Sequence, residues 1–148
     1  MLDSQTFRAL VESAPLVSID IFPRRGDQVL LGKRTNKPAQ GYFFSIGGRI
    51  YKNETIESAM ARIASNELNM DLKSTPKFLG VFEHFYDDGV CENVSTHYVN
   101  LTYEYKIEEA FAELPVDQHS EYRWFSIEEL LNSNQVHSYV KDCYRGRV

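Results

Sequence analysis

Apolar and polar residues alternate along several segments of the chain, with the two-residue period of a half-buried β-strand. In LVSIDIF, residues 16–22, three β-branched side chains fall on one face, with Ser18 and Asp20 on the other. The turn-forming letters RRGD separate this segment from QVLLGKR, residues 28–34, so the two are predicted to form a β-hairpin. Further strands are predicted for KFLGVFEHFYDD at 77–88, STHYVNLTYEYKI at 95–107 and EYRWF at 121–125.

Apolar residues at three- and four-residue spacing predict helices between these strands. A short N-terminal helix is capped by Asp3 or Ser4, and a longer helix begins near Asn53 or Thr55. The letters SIEE at 126–129 form a capping box that opens a further helix. The apolar stripe of the long helix, which we expect to face the core, consists of Ile56, Ala59, Met60 and Ile63.

Helices and strands therefore alternate around a mixed sheet with helices on both faces, which predicts an α/β sandwich. The 148 residues suffice for one domain, 1–148, that buries about 70% of its unfolded surface. A hydrophobic content of 43% excludes disorder, and no apolar run approaches the ~18 residues of a membrane span. Because the N-terminus lacks a signal-peptide pattern, we expect a soluble, cytoplasmic protein with no membrane partner.

The charge balance narrows the classes of partner. A formal net charge of −5 opposes nucleic-acid binding, which needs a basic surface to displace counterions from phosphates. A few local arginines can still bind a small anion in such a protein. Cys91 and Cys143 fit no zinc or redox spacing, so we expect free thiols in a reducing compartment.

One short stretch carries residues of chemical interest at fixed spacing. Gly48 is followed by Glu54 after five residues, Arg62 follows after seven more, and Glu67 comes five later. Taken alone, these four residues are equally typical of a glycine turn followed by an amphipathic helix whose charges face water.

The spacing resembles the Nudix box, the loop–helix–loop of hydrolases that act on nucleoside diphosphates linked to another group. The full pattern has further glutamates and a glycine at three positions where this chain has Ile63, Asn66 and Asn69. Asn69 is benign, because asparagine tolerates the left-handed conformation that ends a helix. With Glu67 as the remaining helix carboxylate, one Mg²⁺ ion is the natural limit.

A closer resemblance covers nearly the whole chain. The segments LVSIDI, LLGKRTNKPAQGYFF, GGR, EHFYDD, THYV and DQHSEYRW are similar to the GDP-mannose mannosyl hydrolase branch of the Nudix family, which also lacks the extra glutamates. The resemblance implies a GDP-sugar substrate and substitution at the anomeric carbon of the sugar, with release of GDP and an inverted free sugar. It also implies a homodimer. One Mg²⁺ and several arginines would then neutralise the departing diphosphate.

The resemblance assigns roles residue by residue. His119 matches the general base in the DQH letters, although a lone loop histidine is usually only solvated. The single Mg²⁺ would be held by Gly48 through its carbonyl, by Glu67 and by Gln118.

The remaining site residues bind substrate in this reading. Arg34 and Arg49 match family arginines on the diphosphate, and Asp20 matches a residue that holds sugar hydroxyls. Tyr98 and Tyr122 could donate hydrogen bonds to phosphate or sugar, with core packing as a rival.

Arg62 belongs to the same set as a substrate-binding candidate, or else orients Glu67 or another acid. Glu54 could merely stabilise the start of the helix. The aromatic run at 84–86 is read as a loop-bound segment whose rings could stack a guanine, although alternating aromatics are more often core.

Two alternatives remain open at this stage. One is a nucleotide-sugar pyrophosphohydrolase that attacks phosphorus, and the other is a catalytically silent nucleotide-sugar-binding module. Ser45 and Ile46 stand where relatives tend to have a proline before the double glycine, which predicts a looser turn there.

Overall fold

A computed structural model describes residues 2–89, 91–108 and 119–146, with the backbone alone at 119 and 120. The helices are α1 (Ser4–Ser13), α2 (Ile56–Leu68), α3 (Ile127–Asn132) and α4 (Ser138–Tyr144). The strands are β1 (Leu16–Arg25), β2 (Gln28–Arg34), β3 (Phe43–Phe44), β4 (Ile46–Arg49), β5 (Lys77–Tyr86), β6 (Thr96–Lys106) and β7 (His119–Ser126). Among these described elements, no helix is both long and apolar enough to cross a membrane.

The strands form one mixed sheet in the order β3-β2-β1-β6-β5, with β4 added to β1 and β7 added to β2. β1 and β6 run parallel, and the other described pairs are antiparallel. The predicted hairpin forms, with Arg24 opposite Val29. The α/β architecture predicted from the sequence is therefore confirmed.

The chain changes partner strand between β3 and β4. Phe43 and Phe44 pair with β2, whereas the next strand pairs with β1, with Gly47 opposite Asp20. Ser45 is the residue between the two strands, and it lies buried beside Asp20. This crossing from β2 to β1 brings polar residues of three strands together.

Helices cover both faces of the sheet, as predicted. On one face, Ile19 and Ile21 of β1 pack with α2 through Ala59, Met60 and Ile63. The opposite face holds a second cluster, in which α3 and α4 pack on strand residues including Phe22, Val29, Leu31 and Phe125. Ile56 is an exception to the predicted stripe, since the side chain of this first helical residue is 45% exposed.

The predicted ends of the helices are also observed. Thr55 caps α2 by accepting a hydrogen bond from the Ser58 amide at 3.0 Å. Asn69 ends the same helix with φ 52° and ψ 44°, the left-handed conformation that asparagine tolerates. Ser126 and Glu129 form the reciprocal capping box of α3.

Candidate active site

A pocket of about 220 Å³ opens on the sheet face opposite α2, where β1, β4, β5 and β6 lie side by side. Its walls come from strand residues and from the loop after β2. The lining residues are Ser18, Asp20, Arg34, Pro38, Ala39, Phe44, Ser45, Gly47, Gly48, Arg49, His84, Tyr86, Tyr98 and Asn100. Five residues that the sequence singled out are therefore brought together, namely Asp20, Arg34, Gly48, Arg49 and Tyr98.

The floor of the pocket is a buried polar network centred on Asp20. The Ser45 hydroxyl donates to Asp20 Oδ2, and Asn100 Nδ2 donates to Ser18 Oγ at 2.8 Å. Thr102 Oγ1 donates to Asn100 Oδ1 at 2.5 Å. Burial raises the pKa of Asp20, against the opposing effects of His84 and of the Ser45 hydrogen bond. A buried carboxylate held in this way is a strong acceptor for ligand hydroxyl groups.

His84 lies in the same wall with an unused hydrogen-bonding atom. Its side chain is 4% exposed, and within the described residues its Nε2 has no hydrogen-bond partner. The ring stacks on Tyr139 with 4.4 Å between centroids and 4° between planes. Burial lowers the pKa of His84, although Asp20 and Asp142 both favour the protonated form. A neutral imidazole beside a carboxylate can donate or accept one more hydrogen bond.

The aromatic run that contains His84 lies in the strand that the sequence predicted for residues 77–88. Residues 84–86, which were also read as a loop-bound segment, form the end of β5. His84 and Tyr86 line the pocket, while Phe85 points away and is 58% exposed. The pairing of β5 with β6 places His84 opposite Tyr98, which also lines the pocket.

Two arginines give the pocket a cationic side. Arg34 ends β2, and its Nε donates to the Pro38 carbonyl at 3.3 Å. Arg49 ends β4, with its guanidinium 4.9 Å from the ring centroid of Tyr51. Tyr98 completes this part of the wall, and burial raises its pKa, so its hydroxyl stays a hydrogen-bond donor at neutral pH.

The double glycine forms part of a strand, and the expectation of a glycine turn is wrong. Gly47 and Gly48 belong to β4 and pair with Asp20 and Ile19 of β1. A Cβ at position 47 would overlap Asp20 Oδ1 and the Ile19 carbonyl oxygen, and one at position 48 would lie 3.3 Å from Ile63 Cγ1. Glycine is required here because two strands and a helix approach closely.

Arg62 and Glu54 form an ion pair next to β4. Arg62 donates to both oxygens of Glu54 at 2.7 and 2.9 Å, and to the carbonyl of Arg49 at 2.8 Å. These hydrogen bonds hold the pKa of Glu54 at about 2. Arg62 does not line the described pocket, so its contacts favour the alternative that it orients an acid. That acid is Glu54, which does more than stabilise the start of α2.

The candidate metal ligands are only partly described. Glu67 lies in the last turn of α2, one turn beyond Ile63, whose Cγ1 would lie 3.3 Å from a Cβ at position 48. Tyr122 does not line the pocket, and its hydroxyl donates to the Glu67 carbonyl at 3.4 Å. Gln118 lies outside the described residues. Carboxylate, carbonyl and amide oxygens are hard donors that suit Mg²⁺, so the chemistry of this donor set fits one such ion.

His119 begins β7, and its backbone pairs with Arg34 of β2. The strand register therefore places the backbone of the predicted base opposite Arg34 in the sheet, and Arg34 is one of the two pocket arginines. The His119 side chain lies outside the described residues.

The comparisons with known proteins agree with this architecture. The model of the NUDIX domain matches residues 14–143. The chain belongs to the Nudix family. It is 40% identical over 120 residues to the low-salt glycan biosynthesis protein Agl8 of Haloferax volcanii, covering 80% of this chain and 76% of that protein.

Solved Nudix structures share the fold at lower identity. A MutT NUDIX hydrolase from Burkholderia pseudomallei superimposes with a TM-score of 0.75 at 20% identity, covering 92% of this chain and all of the other. The NUDIX domain of Shewanella oneidensis NrtR, crystallised with ADP ribose, gives 0.69 at 17% identity and covers 99% of both chains. At these identities the likeness shows the Nudix fold alone.

Proposed function

We propose that the protein hydrolyses GDP-mannose, or GDP-glucose, to GDP and free sugar by inverting substitution at the anomeric carbon. The observation that carries the proposal is the division of one pocket into a buried polar floor around Asp20 and a cationic side formed by Arg34 and Arg49. A glycosyl diphosphate has the same division, with neutral hydroxyls at one end and negative oxygens at the other. The relative named for glycan biosynthesis supports a nucleotide-sugar substrate.

The polar floor suits a sugar. Asp20 would accept hydrogen bonds from hydroxyl groups, and His84 offers Nε2, which has no hydrogen-bond partner among the described residues. The Asn100–Ser18–Thr102 network fixes the surrounding dipoles. Because these groups are already ordered and desolvated, a sugar lacking a matched hydroxyl would leave a buried polar atom unpaired and bind poorly.

The cationic side suits the leaving group. Arg34 and Arg49 would pair with diphosphate oxygens and stabilise the charge that GDP gains as the anomeric bond breaks. The Tyr98 hydroxyl would donate a further hydrogen bond. Glu67, Gln118 and the Gly48 carbonyl would hold one Mg²⁺, which supplies charge neutralisation on the diphosphate when bound.

His119 would act as general base in this proposal. A water molecule on the face of the sugar opposite the diphosphate gives its proton to the imidazole while its oxygen bonds to the anomeric carbon. The bond from that carbon to the diphosphate oxygen breaks, and GDP leaves with the electron pair. The backbone of His119 pairs with that of Arg34, a residue of the pocket, which supports a base that belongs to the same site.

The helix composition favours attack at carbon over attack at phosphorus. Phosphoryl chemistry by clustered metal ions needs several carboxylates, yet Ile63 is 1% exposed in the core and Asn66 replaces a second acid. In the described part of the chain, no three His, Cys, Asp or Glu side chains are grouped to hold a metal.

Hydrolysis in ¹⁸O-labelled water separates the two reactions. Carbon attack leaves GDP unlabelled, whereas phosphorus attack puts the label into GDP, GMP or a sugar phosphate. Early ¹H NMR spectra should show the α-linked mannose released as the β-anomer. His119→Gln should lower kcat by about 10²- to 10⁴-fold, while His97→Gln, away from the pocket, serves as the matched control.

A labelled phosphate product would refute substitution at carbon. Unchanged turnover in His119→Gln would refute the base. Tight GDP-mannose binding without turnover would favour the silent binding module instead.

We also propose that the protein forms a homodimer through the part of one sheet face that the described helices leave exposed. Phe78, Val81 and Phe85 of β5 and Val17 of β1 are 42–58% exposed. They share the sheet face on which α2 packs, because Phe78 pairs with Tyr103 and Val81 with Leu101, both of which contact the α2 cluster. β5 is also an edge strand of the described sheet.

The size of this face suits a second copy of the chain. Strands of about ten residues rise ~3.4 Å per residue and lie ~4.8 Å apart, so three strands offer at most roughly 480 Å² per copy. Two copies would bury on the order of 1,000 Å², near the lower limit of specific interfaces. Sedimentation equilibrium should show a dimer that Val81→Glu dissociates and that Leu2→Glu, an equally apolar exposed site elsewhere, leaves intact. A monomeric wild-type protein would refute this interface.

A further inference from the structure

Tyr139 of α4 makes two kinds of contact with the end of β5. Its ring lies flat on the imidazole of His84, 4.4 Å between centroids and 4° from parallel. Its hydroxyl accepts a hydrogen bond from the Phe85 amide at 3.0 Å and donates one to the Phe85 carbonyl at 2.8 Å. One side chain therefore fixes both the ring of His84 and the backbone of the next residue.

These two hydrogen bonds use both the amide and the carbonyl of one edge-strand residue. The amide and carbonyl of an edge strand normally bond to water or to another strand. Here they are bound by a phenol that is itself held by its helix, in which Val140 and Cys143 are buried in the core. The packing of α4 in the core therefore determines where the end of β5 lies in the pocket wall.

Few other contacts from the described residues hold the ring plane of His84. Among the described residues its Nε2 has no hydrogen-bond partner. Its other aromatic neighbours, Phe44 and Tyr86, meet it edge-on at 6.0 and 6.3 Å. Parallel stacking on Tyr139 is thus the closest ring contact, and it leaves the edge of the imidazole directed away from the phenol ring.

We propose that Tyr139 is a positioning residue that holds the imidazole of His84 in the pocket wall, so that Nε2 is ready to bind a ligand hydroxyl beside Asp20. The proposal rests on the proposed function for the identity of that ligand. Tyr139 does not line the pocket, so its effect on turnover runs through His84.

Four titratable groups surround the imidazole besides Tyr139, and one of them is the phenol of Tyr86, whose ring centroid lies 6.3 Å away. Asp20 and Asp142 favour its protonated form, and His137 interacts with it electrostatically. Burial opposes both carboxylates and lowers the pKa of His84. Removing the Tyr139 ring would admit water, so the pKa of His84 should rise toward its ordinary value of 6.5.

Two variants separate the contacts of Tyr139. Tyr139→Phe keeps the stacked ring and loses the two hydrogen bonds. Tyr139→Leu loses the stacked ring as well as the two hydrogen bonds. With GDP-mannose we expect kcat/KM to fall about 3- to 10-fold in the first and about 10- to 100-fold in the second. Tyr103→Phe, on the opposite sheet face, is the matched control.

A double-mutant cycle shows whether Tyr139 acts through His84. If it does, Tyr139→Leu should change kcat/KM less than about twofold in a His84→Gln background. An equal loss in both backgrounds would overturn the proposal, because it would mean that Tyr139 affects the fold in general.

Histidine NMR provides a readout that needs no turnover. The chain has four histidines, so the His84→Gln spectrum assigns the His84 ring by difference. In the free protein, Tyr139→Leu should raise the pKa of His84 and change its ring shifts, while Tyr139→Phe should largely preserve both. An unchanged His84 signal in Tyr139→Leu would overturn the positioning role, whereas absent turnover with the expected NMR change would count against the substrate alone.

Discussion

Replacing Glu54 with glutamine removes the charge from the ion pair that closes the segment between β4 and α2. Arg62 contacts both Glu54 oxygens, and the same guanidinium bonds to the Arg49 carbonyl. The pKa of Glu54 falls from an ordinary 4.5 to about 2, mainly through the hydrogen bond from Arg62. At about 1.4 kcal/mol for each tenfold change in proton affinity, this corresponds to about 3–4 kcal/mol.

Screening by solvent reduces this contribution of the ion pair to the free energy of unfolding. The side chains of Arg62 and Glu54 are 26% and 15% exposed, so screening lowers the expected loss in Glu54→Gln to about 2 kcal/mol. For a chain of this length the melting temperature should fall by about 4–8 °C. Because Arg62 also holds the backbone of Arg49, KM for the substrate should rise more than kcat falls.

The pH dependence has a definite sign. An acid whose pKa is lower in the folded state stabilises the fold above its unfolded pKa, and this contribution is lost as pH falls toward the folded pKa. The stability difference between wild type and Glu54→Gln should therefore be constant from pH 7 to about 5 and shrink between pH 4.5 and about 2.

Urea unfolding followed by the fluorescence of Trp124, the single tryptophan, measures this difference, since Trp124 packs beside the α2 cluster. Glu57→Gln, an exposed acid in the first turn of α2, is the matched control and should change stability by about 0.5 kcal/mol or less. If both variants unfold alike, or if the difference persists undiminished to pH 3, the ion pair does not act as argued.

Three further outcomes are expected. Because burial raises the pKa of Asp20, its negative charge destabilises the folded state above the unfolded pKa. Asp20→Asn should therefore be about 0.5–2 kcal/mol more stable than the wild type at pH 7, and this difference should narrow as the pH falls. The kcat/KM of the same variant should drop about 10- to 100-fold. Calorimetry and kinetics at several pH values check both effects. Gly47→Ala should destabilise by more than about 2 kcal/mol, since its Cβ overlaps β1, whereas Gly48→Ala, which only presses on a side chain, should cost less in urea unfolding. Restoring an acid by Ile63→Glu should cost at least about 3 kcal/mol, because the site is buried, while exposed Asn66→Glu should be tolerated; a stable Ile63→Glu variant would contradict the core assignment.

Local signals in the sequence predicted most of the elements. The alternation in residues 16–22, the cap at Thr55 and the capping box at Ser126 all depend on nearest neighbours along the chain, and each is observed. Asp20 could be found because an acid inside a β-branched strand is costly without a task.

Residues that join the site through long-range pairing were either missed or assigned a different role. Ser45 reaches Asp20 only because the chain crosses from β2 to β1 at that residue. His84 and Asn100 are brought together by the registers of β5, β6 and β1. A polar residue in a strand was the signal for Asn100, but periodicity alone does not say which strand lies beside it.

The double glycine shows why a motif can be found while its structure is misread. Glycine in a motif suggests positive φ, yet neither Gly47 nor Gly48 has it. They are needed because β4 runs between the pocket and α2, with Asp20 against one glycine and Ile63 against the other. Ile63 fills the helix position where the family box has an acid, and it packs the strand that carries the pocket. Core packing at this position thus removes a metal ligand, which is consistent with a reaction that places its charge on a leaving diphosphate and needs a single ion.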